Sequence, residues 1–529
     1  MLDTLLIQPP ALLPSEPPLS LAILVAALRQ ENISADAIDA NLEAYLYLLD
    51  GQRLARLAGP SPSTALSRAL NHREESLALL RHPQGKDSFS RYSTAVRYLN
   101  LLLSLHADNR QRLTLSDYQY PDYSPFNPDD LNRFGRGEAH TLFYSYFCDE
   151  LLAQVVDREP KRVAISINYL HQAFPAFELA GLLRQQLPKL EIIAGGGLLT
   201  SWQQPLQQLD CRFPSFDRLV FGPGEASLVA LVRGRAGESY FLNDTSSRGF
   251  IPDFSFAEFD RYPSPHPVLP LSSSRGCYWE KCLFCPEATA PVHPYGSFNP
   301  IDFPDLLLEL SHRYEMTHFH LTDNAIPVNV LRQLAHRHAD LAGLEWFGFV
   351  RFEDALSDDA FVKKLAASGC RMLQLGLESG SQRVLDTLRK GIRLETSAKI
   401  LDNLQRAGIG TYVYIMLGAP GETETDAEMT LDFLEKHADQ IGFLNISIMN
   451  LPRGSELLEN PELYGISRSK LRDDRGVLGL YHKFESDNAW DRTAARRFLH
   501  QRLQASPIIR NILKRDPPFF SSSHAFFFA

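Results

Sequence analysis

The chain has 529 residues, 44% of them hydrophobic and 22% charged. That is room for two to four domains of about 150 residues each, in the composition of a folded protein rather than a disordered one. Its formal charge of −10 argues against a protein that works mainly by gripping nucleic-acid phosphates. The start Met1-Leu-Asp-Thr lacks a basic leader, and no apolar run reaches the ~18 residues of a membrane span. A cytoplasmic chain with reduced thiols is therefore expected.

In chain order, residues 3–8 read as a buried strand stopped by Pro9 and Pro10, residues 19–30 as an amphipathic helix and residues 35–40 as a second strand. This βαβ opening predicts a doubly wound parallel sheet. From about 42 to 155 helical periodicity replaces the strand signal, as at 91–105 and 140–156, and predicts a helical insertion. Within it the tyrosine- and proline-rich stretch 115–126 is either a functional loop or one packed on its own domain. The sheet resumes with strands over 162–168, 191–197 and 217–221. Ligands of open parallel sheets bind beyond the carboxyl ends of the strands, so residues 9–18, 166–171, 195–197 and 222–225 are expected to line one crevice. Glycines there admit close approach of a ligand to the backbone. No G-x-G-x-x-G follows the first strand, which excludes a Rossmann dinucleotide site.

Residues 236–266 have the Pro- and Ser-rich composition of a linker. Six further strands, over 268–274, 318–322, 346–351, 371–378, 410–417 and 443–449, then alternate with helices over 303–314, 327–341, 358–368, 396–407 and 424–437. That alternation predicts a parallel barrel, complete or partial, with its site at the carboxyl ends of the strands. Asp323, Arg351 and Glu378 close the second, third and fourth of these strands, offering acceptors and a planar cation to an amino-acid-like ligand. Residues 455–529 read as a mixed extension whose terminal phenylalanines are expected to dock on the barrel or a partner.

Directly after the first barrel strand, Ser272-Ser-Ser-Arg-Gly-Cys-Tyr-Trp-Glu-Lys-Cys-Leu-Phe-Cys-Pro286 places Cys277, Cys282 and Cys285 within nine residues, while Cys148, Cys211 and Cys370 are scattered. Such clustering indicates a metal or cluster site, not a disulfide framework. Structural zinc asks for a fourth ligand, and no fourth cysteine lies nearby. A 4Fe-4S cluster held by three thiolates leaves one iron open. Tyr278, Trp279 and Phe284 are placed to shield it.

This stretch resembles the radical SAM superfamily, in which three cysteines hold a 4Fe-4S cluster whose open iron chelates S-adenosylmethionine (SAM). The usual spacing is C-x3-C-x2-C, and this chain has one more residue in the first gap. The resemblance implies that Phe284 lies near the adenine. It also implies that Glu378, in Gly376-Leu-Glu-Ser-Gly, binds the ribose or methionyl part, and that Gly418, in Tyr414-Ile-Met-Leu-Gly-Ala-Pro-Gly-Glu, lies where backbone holds the adenine. Asp323 and Arg351 would complete the SAM site.

The N-terminal half resembles the cobalamin-binding domain found ahead of many radical SAM barrels, in Pro17-Pro-Leu-Ser-Leu-Ala, Ile165-Ser-Ile-Asn, Ala194-Gly-Gly-Gly and Phe221-Gly-Pro-Gly-Glu. The cobalamin contacts it implies are Pro10, Pro18, Leu19, Ser166, Asn168, Tyr169, His171, Gly195, Gly196, Gly197, Gly222, Gly224 and Glu225. The D-x-H-x-x-G loop that supplies a lower cobalt ligand in many cobalamin proteins is absent. Base-off cobalamin without that histidine is expected, with His171 either a stand-in or an ordinary loop histidine.

The expected fold is thus α/β. A Rossmann-like cobalamin-binding domain spans 1–235 with its insertion, a linker 236–266, a partial (β/α)6 TIM-type radical SAM barrel 267–454 and the extension 455–529. The implied activity is methylation of an unactivated carbon through a 5′-deoxyadenosyl radical and methylcobalamin. It would act on a small molecule or peptide, with an electron donor such as flavodoxin or ferredoxin and no nucleic-acid partner. The alternatives are a radical rearrangement or cyclisation, with or without cobalamin, and a non-catalytic metal-binding protein.

Overall fold

The computed structural model describes residues 2–108, 110–246, 248–285, 295–297, 303–471, 476–486, 488 and 490–529. Ser247 of the expected linker and Pro286 of the cysteine stretch lie outside them. The chain forms two compact units, the first running to Pro267 and the second beginning at Val268, apart from two short later segments that count with the first.

In the first unit, β1 (Thr4–Ile7), β2 (Ala35–Ile38), β3 (Arg162–Ser166), β4 (Glu191–Gly195), β5 (Arg218–Phe221) and β6 (Phe241–Asn243) form one parallel sheet in the order β2-β1-β3-β4-β5-β6. All four residues of β1 are buried, as a strand covered on both faces requires. Leu6, Ala164, Ile193 and Val220, from four neighbouring strands, pack with Leu21, Val25 and Leu28 of the helix Leu19–Gln30 and with Leu228 of the helix Glu225–Val232. The order reverses between β1 and β3, and the crevice of a doubly wound sheet opens at that switch.

Between β2 and β3 the chain leaves the sheet for a series of short helices. The helix expected over 140–156 starts only at Tyr144 and widens into a π turn at Phe147–Leu151. The cause is Glu178, 2% exposed, whose carboxylate accepts the Thr141 N–H at 3.1 Å and lies 2.9 Å from His140 Nδ1. These bonds tie residues 140–143 to the helix Ala173–Gln186. The tyrosine-rich loop forms a ribbon, Arg112–Leu113 against Tyr118–Gln119, and Tyr120 and Tyr123 meet Phe134 and Phe174 edge-on. Its aromatics pack within their own unit.

The stretch 236–266, expected as a linker, contributes β6, whose Phe241 stacks on Phe221 with centroids 5.9 Å apart. Three residues were too few for a period-2 signal to register. Further along it, Asp253 pairs with Arg29 at 2.7 Å and Tyr262 donates to Asp39 at 2.8 Å, so the stretch stays on the first unit.

In the second unit, β7 (Val268–Leu271), β8 (His318–Leu321), β9 (Glu345–Val350), β10 (Cys370–Glu378), β11 (Gly410–Leu417) and β12 (Phe443–Ile448) pair in parallel, in chain order. β7 and β12 are the edges of this sheet among the described residues. Val268, Phe347, Met372, Tyr412 and Phe443, drawn from five of the six strands, all pack around Ala525 and Phe526. Residues 525–528 thus share one buried cluster with side chains of five strands. There Phe526 stacks on Phe347 with centroids 4.3 Å apart, and a Cβ at Gly410 would run into Ala529.

Phe526→Ala should cost about 3 kcal/mol or more, read as loss of hydrogen-exchange protection in β9 and β11. Burial pushes the His524 imidazole down to about 3 from 6.5. The unfolded chain therefore binds the extra proton, and stability present above pH 6.5 is lost as the pH falls through that window. Proteolysis of the 521–529 segment should accelerate between pH 7 and pH 5, and His524→Gln should flatten that dependence.

Candidate active site

The polar groups of the second unit gather where its strands end. Asp323, two residues past β8 and 3% exposed, accepts the Ser273 N–H at 3.0 Å and the hydroxyls of Ser273 and Ser274 at 2.7 and 2.6 Å. Burial raises its carboxyl and these donors oppose the rise. The carboxylate thereby fixes the chain on its way into the cysteine loop.

That loop is held by the turn 388–391, which follows β10. The Leu283 N–H donates to the Leu388 carbonyl at 3.1 Å, with the Leu283 side chain buried among Val384, Leu388 and Met416. Trp279 Nε1 donates to the Arg389 carbonyl at 3.0 Å. Gly391 lies at φ +71°, where a Cβ would run into the Trp279 ring. Arg351, one residue past β9 and 4% exposed, stacks its guanidinium 4.1 Å from the Trp279 ring centroid and donates to Glu353 at 3.2 Å, to the Lys390 carbonyl and to Cys282 Sγ at 3.9 Å. Tyr278 donates to the same Glu353 oxygen at 2.6 Å.

Cys277, Cys282 and Cys285 are all partly buried. Burial raises the Cys282 thiol, while Lys390 and Arg351 act against it. Among the described residues no three His, Cys, Asp or Glu side chains stand grouped around a common metal position. The donor set itself fits an iron–sulfur cluster: three thiols on one anchored loop with two buried cations beside them, charges suited to a thiolate-bound anion.

Glu378 ends β10 at a register shift against β11, with φ +66°. Its carboxylate accepts from Lys390 Nζ at 2.8 Å, and both side chains are nearly buried (12% and 6%). Gly376 makes room for the pair: a Cβ there would stand 2.5 Å from Glu378 Oε1 and 2.8 Å from Lys390 Nζ. Lys390 Nζ also lies 5.9 Å from the centroid of the Phe284 ring. Gly418, at φ +81° after β11, donates its N–H at 2.5 Å to Glu422, which also accepts from the Ala419 N–H at 3.2 Å and Trp490 Nε1 at 2.8 Å. The other Glu422 oxygen is buried with no hydrogen-bond partner among the described residues, and burial pushes this carboxyl up to about 7. The structure thus gathers Arg351, Glu378 and Phe284 beside the cysteine loop, with Lys390 linking them, and ties Asp323 into the loop's base. Gly418 belongs to the separate Glu422 turn.

In the first unit, the loops after β1 and β3 meet at the switch. Gln172 Nε2 donates to the Pro9 carbonyl at 2.8 Å and Ser166 to Ser20 at 3.4 Å. Asn168 donates to Ser166 at 3.0 Å and accepts the Gly197 N–H at 3.0 Å. Gly196, φ +109°, sits where a Cβ would be 2.5 Å from the Ile167 carbonyl, and a Cβ at Gly222 would run into the Asp244 carbonyl. These glycines are needed for strand ends to close on one another. Tyr169 is 59% exposed beside this loop and Glu225 is buried at the start of its helix. Pro10 is buried, while Pro18, Leu19, Gly195 and Gly224 are partly exposed. His171 Nδ1 lies 2.9 Å from the Tyr118 carbonyl and 3.1 Å from the Asp117 carboxylate.

Residues 271–434 match the family model of the Radical SAM superfamily. The chain carries a radical SAM domain. An uncharacterized methyltransferase of Pyrococcus horikoshii is 23% identical over 288 residues, 50% of this chain and 61% of that protein. The chain thus spans about three fifths of that curated relative's length. Among solved structures, the radical SAM methyltransferase TsrM from Kitasatospora setae, with cobalamin and a 4Fe-4S cluster bound, superposes with a TM-score of 0.57 at 16% identity, covering 97% of this chain and 93% of that one. The cobalamin-dependent radical SAM enzyme OxsB, with aqua-cobalamin and SAM bound, superposes with a TM-score of 0.58 at 14% identity, covering 93% and 65%. The parallel-sheet fold is shared with both.

In the radical SAM domain, sequence reasoning missed Lys390, Glu353 and Glu422. Lys390 stands in the 388–391 stretch, where a lysine before a glycine looks like any turn. Its partner became visible only once β10 placed Glu378 beside it. Because one Glu422 oxygen takes every donor, Glu422→Gln should leave the turn intact, whereas Glu422→Ala orphans three donors and should cost several kcal/mol, on the order of 1–3 per buried donor. A carboxyl raised from 4.5 to about 7 adds stability at low pH that is lost as the pH rises through 7. Chemical unfolding across pH 4.5–8 should show that decline in the parent chain and not in Glu422→Gln.

Proposed function

We propose that the chain is a cobalamin-dependent radical SAM methyltransferase acting on an unactivated carbon of a small molecule or peptide. The observation that carries this reading is the three-cysteine loop at the carboxyl end of β7, clamped beside Glu378, Lys390 and Arg351. The switch-point crevice of the first unit adds the cobalamin element, and the likeness in fold to cobalamin-binding radical SAM enzymes is consistent with both. When bound, the cluster and SAM supply the 5′-deoxyadenosyl radical and the corrinoid supplies the methyl group.

The chain's own residues bind and orient. Cys277, Cys282 and Cys285 hold the cluster. Glu378, paired with Lys390, accepts ribose hydroxyls or the methionyl ammonium. Phe284 covers the adenine, and Gly418, whose N–H is given to Glu422, would offer only its carbonyl to it. Asp323 acts through Ser273 and Ser274 on the loop. In the first unit Ser166, Asn168, Tyr169 and the backbone of Gly195, Gly196, Gly197, Gly222 and Gly224 contact cobalamin, with Pro10, Pro18, Leu19 and Glu225 at the rim. The sequence lacks the D-x-H-x-x-G loop, so cobalamin would bind base-off without that loop's histidine; the Tyr118 carbonyl and the Asp117 carboxylate hold His171 at Nδ1 within its own unit. A flavodoxin- or ferredoxin-like protein delivers the electron. No helix among the described residues is long and apolar enough to cross a membrane.

Anaerobic reconstitution with iron, sulfide and cobalamin, followed by desalting, should leave about four irons and about one corrinoid per chain. The triple change Cys277→Ala, Cys282→Ala, Cys285→Ala should lose the iron and keep the corrinoid. Electron paramagnetic resonance of the reduced corrinoid should show no nitrogen splitting, with His171→Ala unchanged. Iron without corrinoid would move the reading to cobalamin-free radical chemistry.

A further inference from the structure

Arg351 is the most heavily committed side chain around the cysteine loop. Each of its three nitrogens has a partner: Nε donates to Glu353 at 3.2 Å, Nη2 to the Lys390 carbonyl, and Nη1 to Cys282 Sγ at 3.9 Å. Its flat face lies 4.1 Å from the Trp279 ring centroid, and Trp279 is itself bonded to Arg389. The guanidinium therefore joins the cysteine loop, the end of β9 and the turn after β10. A bidentate carboxylate clamp needs two parallel N–H groups on one edge; the Nε–Nη2 edge already serves Glu353 and the Lys390 carbonyl, and the side chain is only 4% exposed.

We infer that Arg351 is a positioning residue of the cluster and not a clamp for the SAM carboxylate: it fixes the cysteine loop and places a buried positive charge on the Cys282 sulfur. This rests on the radical SAM reading above. A cation donating a hydrogen bond to a ligand thiolate stabilises the reduced, more negative cluster over the oxidised one. In a buried setting that interaction is weakly screened. Glu353 opposes it, because its carboxylate pairs with the same guanidinium and partly cancels its charge. The two residues therefore act on the cluster with opposite sign.

The test is a redox titration of the reconstituted full-length protein without SAM, followed by electron paramagnetic resonance of the reduced cluster. Arg351→Gln should lower the midpoint potential and Glu353→Gln should raise it. Arg351→Lys, which keeps the charge but cannot reach three acceptors at once, should lie between Arg351→Gln and the parent while holding less iron. An unchanged potential in an iron-loaded Arg351→Gln overturns the inference, as do shifts of the same sign in Arg351→Gln and Glu353→Gln, which loosening of the loop alone would give. If Arg351→Gln retains no cluster, Glu353→Gln decides alone, and an unchanged or lowered potential there overturns the inference. A parent chain that assembles no cluster overturns the radical SAM reading itself, and the inference with it. An assembled cluster indifferent to Arg351 overturns only the inference.

Discussion

Parallel strand pairing is the constraint on which the rest of this structure depends. Each parallel strand needs a crossover before the next can begin, so every strand in a sheet ends on the same side. Buried strands are mostly apolar along their length, with few exceptions such as Thr4, Gln374 and Thr411. Chemistry is thereby confined to the carboxyl ends, and it is there that Asp323, Arg351 and Glu378 stand in the second unit and Ser166, Asn168 and Gly196 in the first.

Confinement brings an electrostatic problem, since strand ends facing one another put charges where water is scarce. The second unit answers it by pairing: Glu378 with Lys390, Arg351 with Glu353, Asp323 with two serine hydroxyls, and Glu422 with a tryptophan and two backbone N–H groups. Removing one member of such a pair leaves its partner buried and uncompensated, which is more damaging than never having had the pair. The backbone takes up part of the burden. Glu378 stands at positive φ at a register shift, and Gly376 and Gly391 vacate the volume that Lys390 and Trp279 use.

The sequence made the strands of both sheets legible to within a few residues, because buried parallel strands are continuous apolar runs that end abruptly. Gly410–Leu417 and the helices Leu19–Gln30 and Phe303–Tyr314 were readable to the residue. β6 was not, being three residues long in a Pro- and Ser-rich neighbourhood. Nor was the late start of the helix near Tyr144, decided by Glu178 from far along the chain. The same division holds at the site. The cysteines and the strand-end residues announce themselves by spacing and position. What Arg351 and Lys390 bind does not, because their partners come from separate strands and loops.

The segment 525–528 lies among residues as early in the second sheet as Val268. During synthesis all six strands of that sheet emerge well before the segment that joins their buried cluster. Until then Phe347, Met372, Tyr412 and Phe443 lack the cluster partners that Ala525 and Phe526 supply, a long-range contact whose late arrival slows completion of the fold and leaves more apolar surface open to association. The sheet's integrity on the ribosome therefore depends on the interval between β12 and residue 526, and chaperone demand should peak in that interval rather than while the strands themselves are being made.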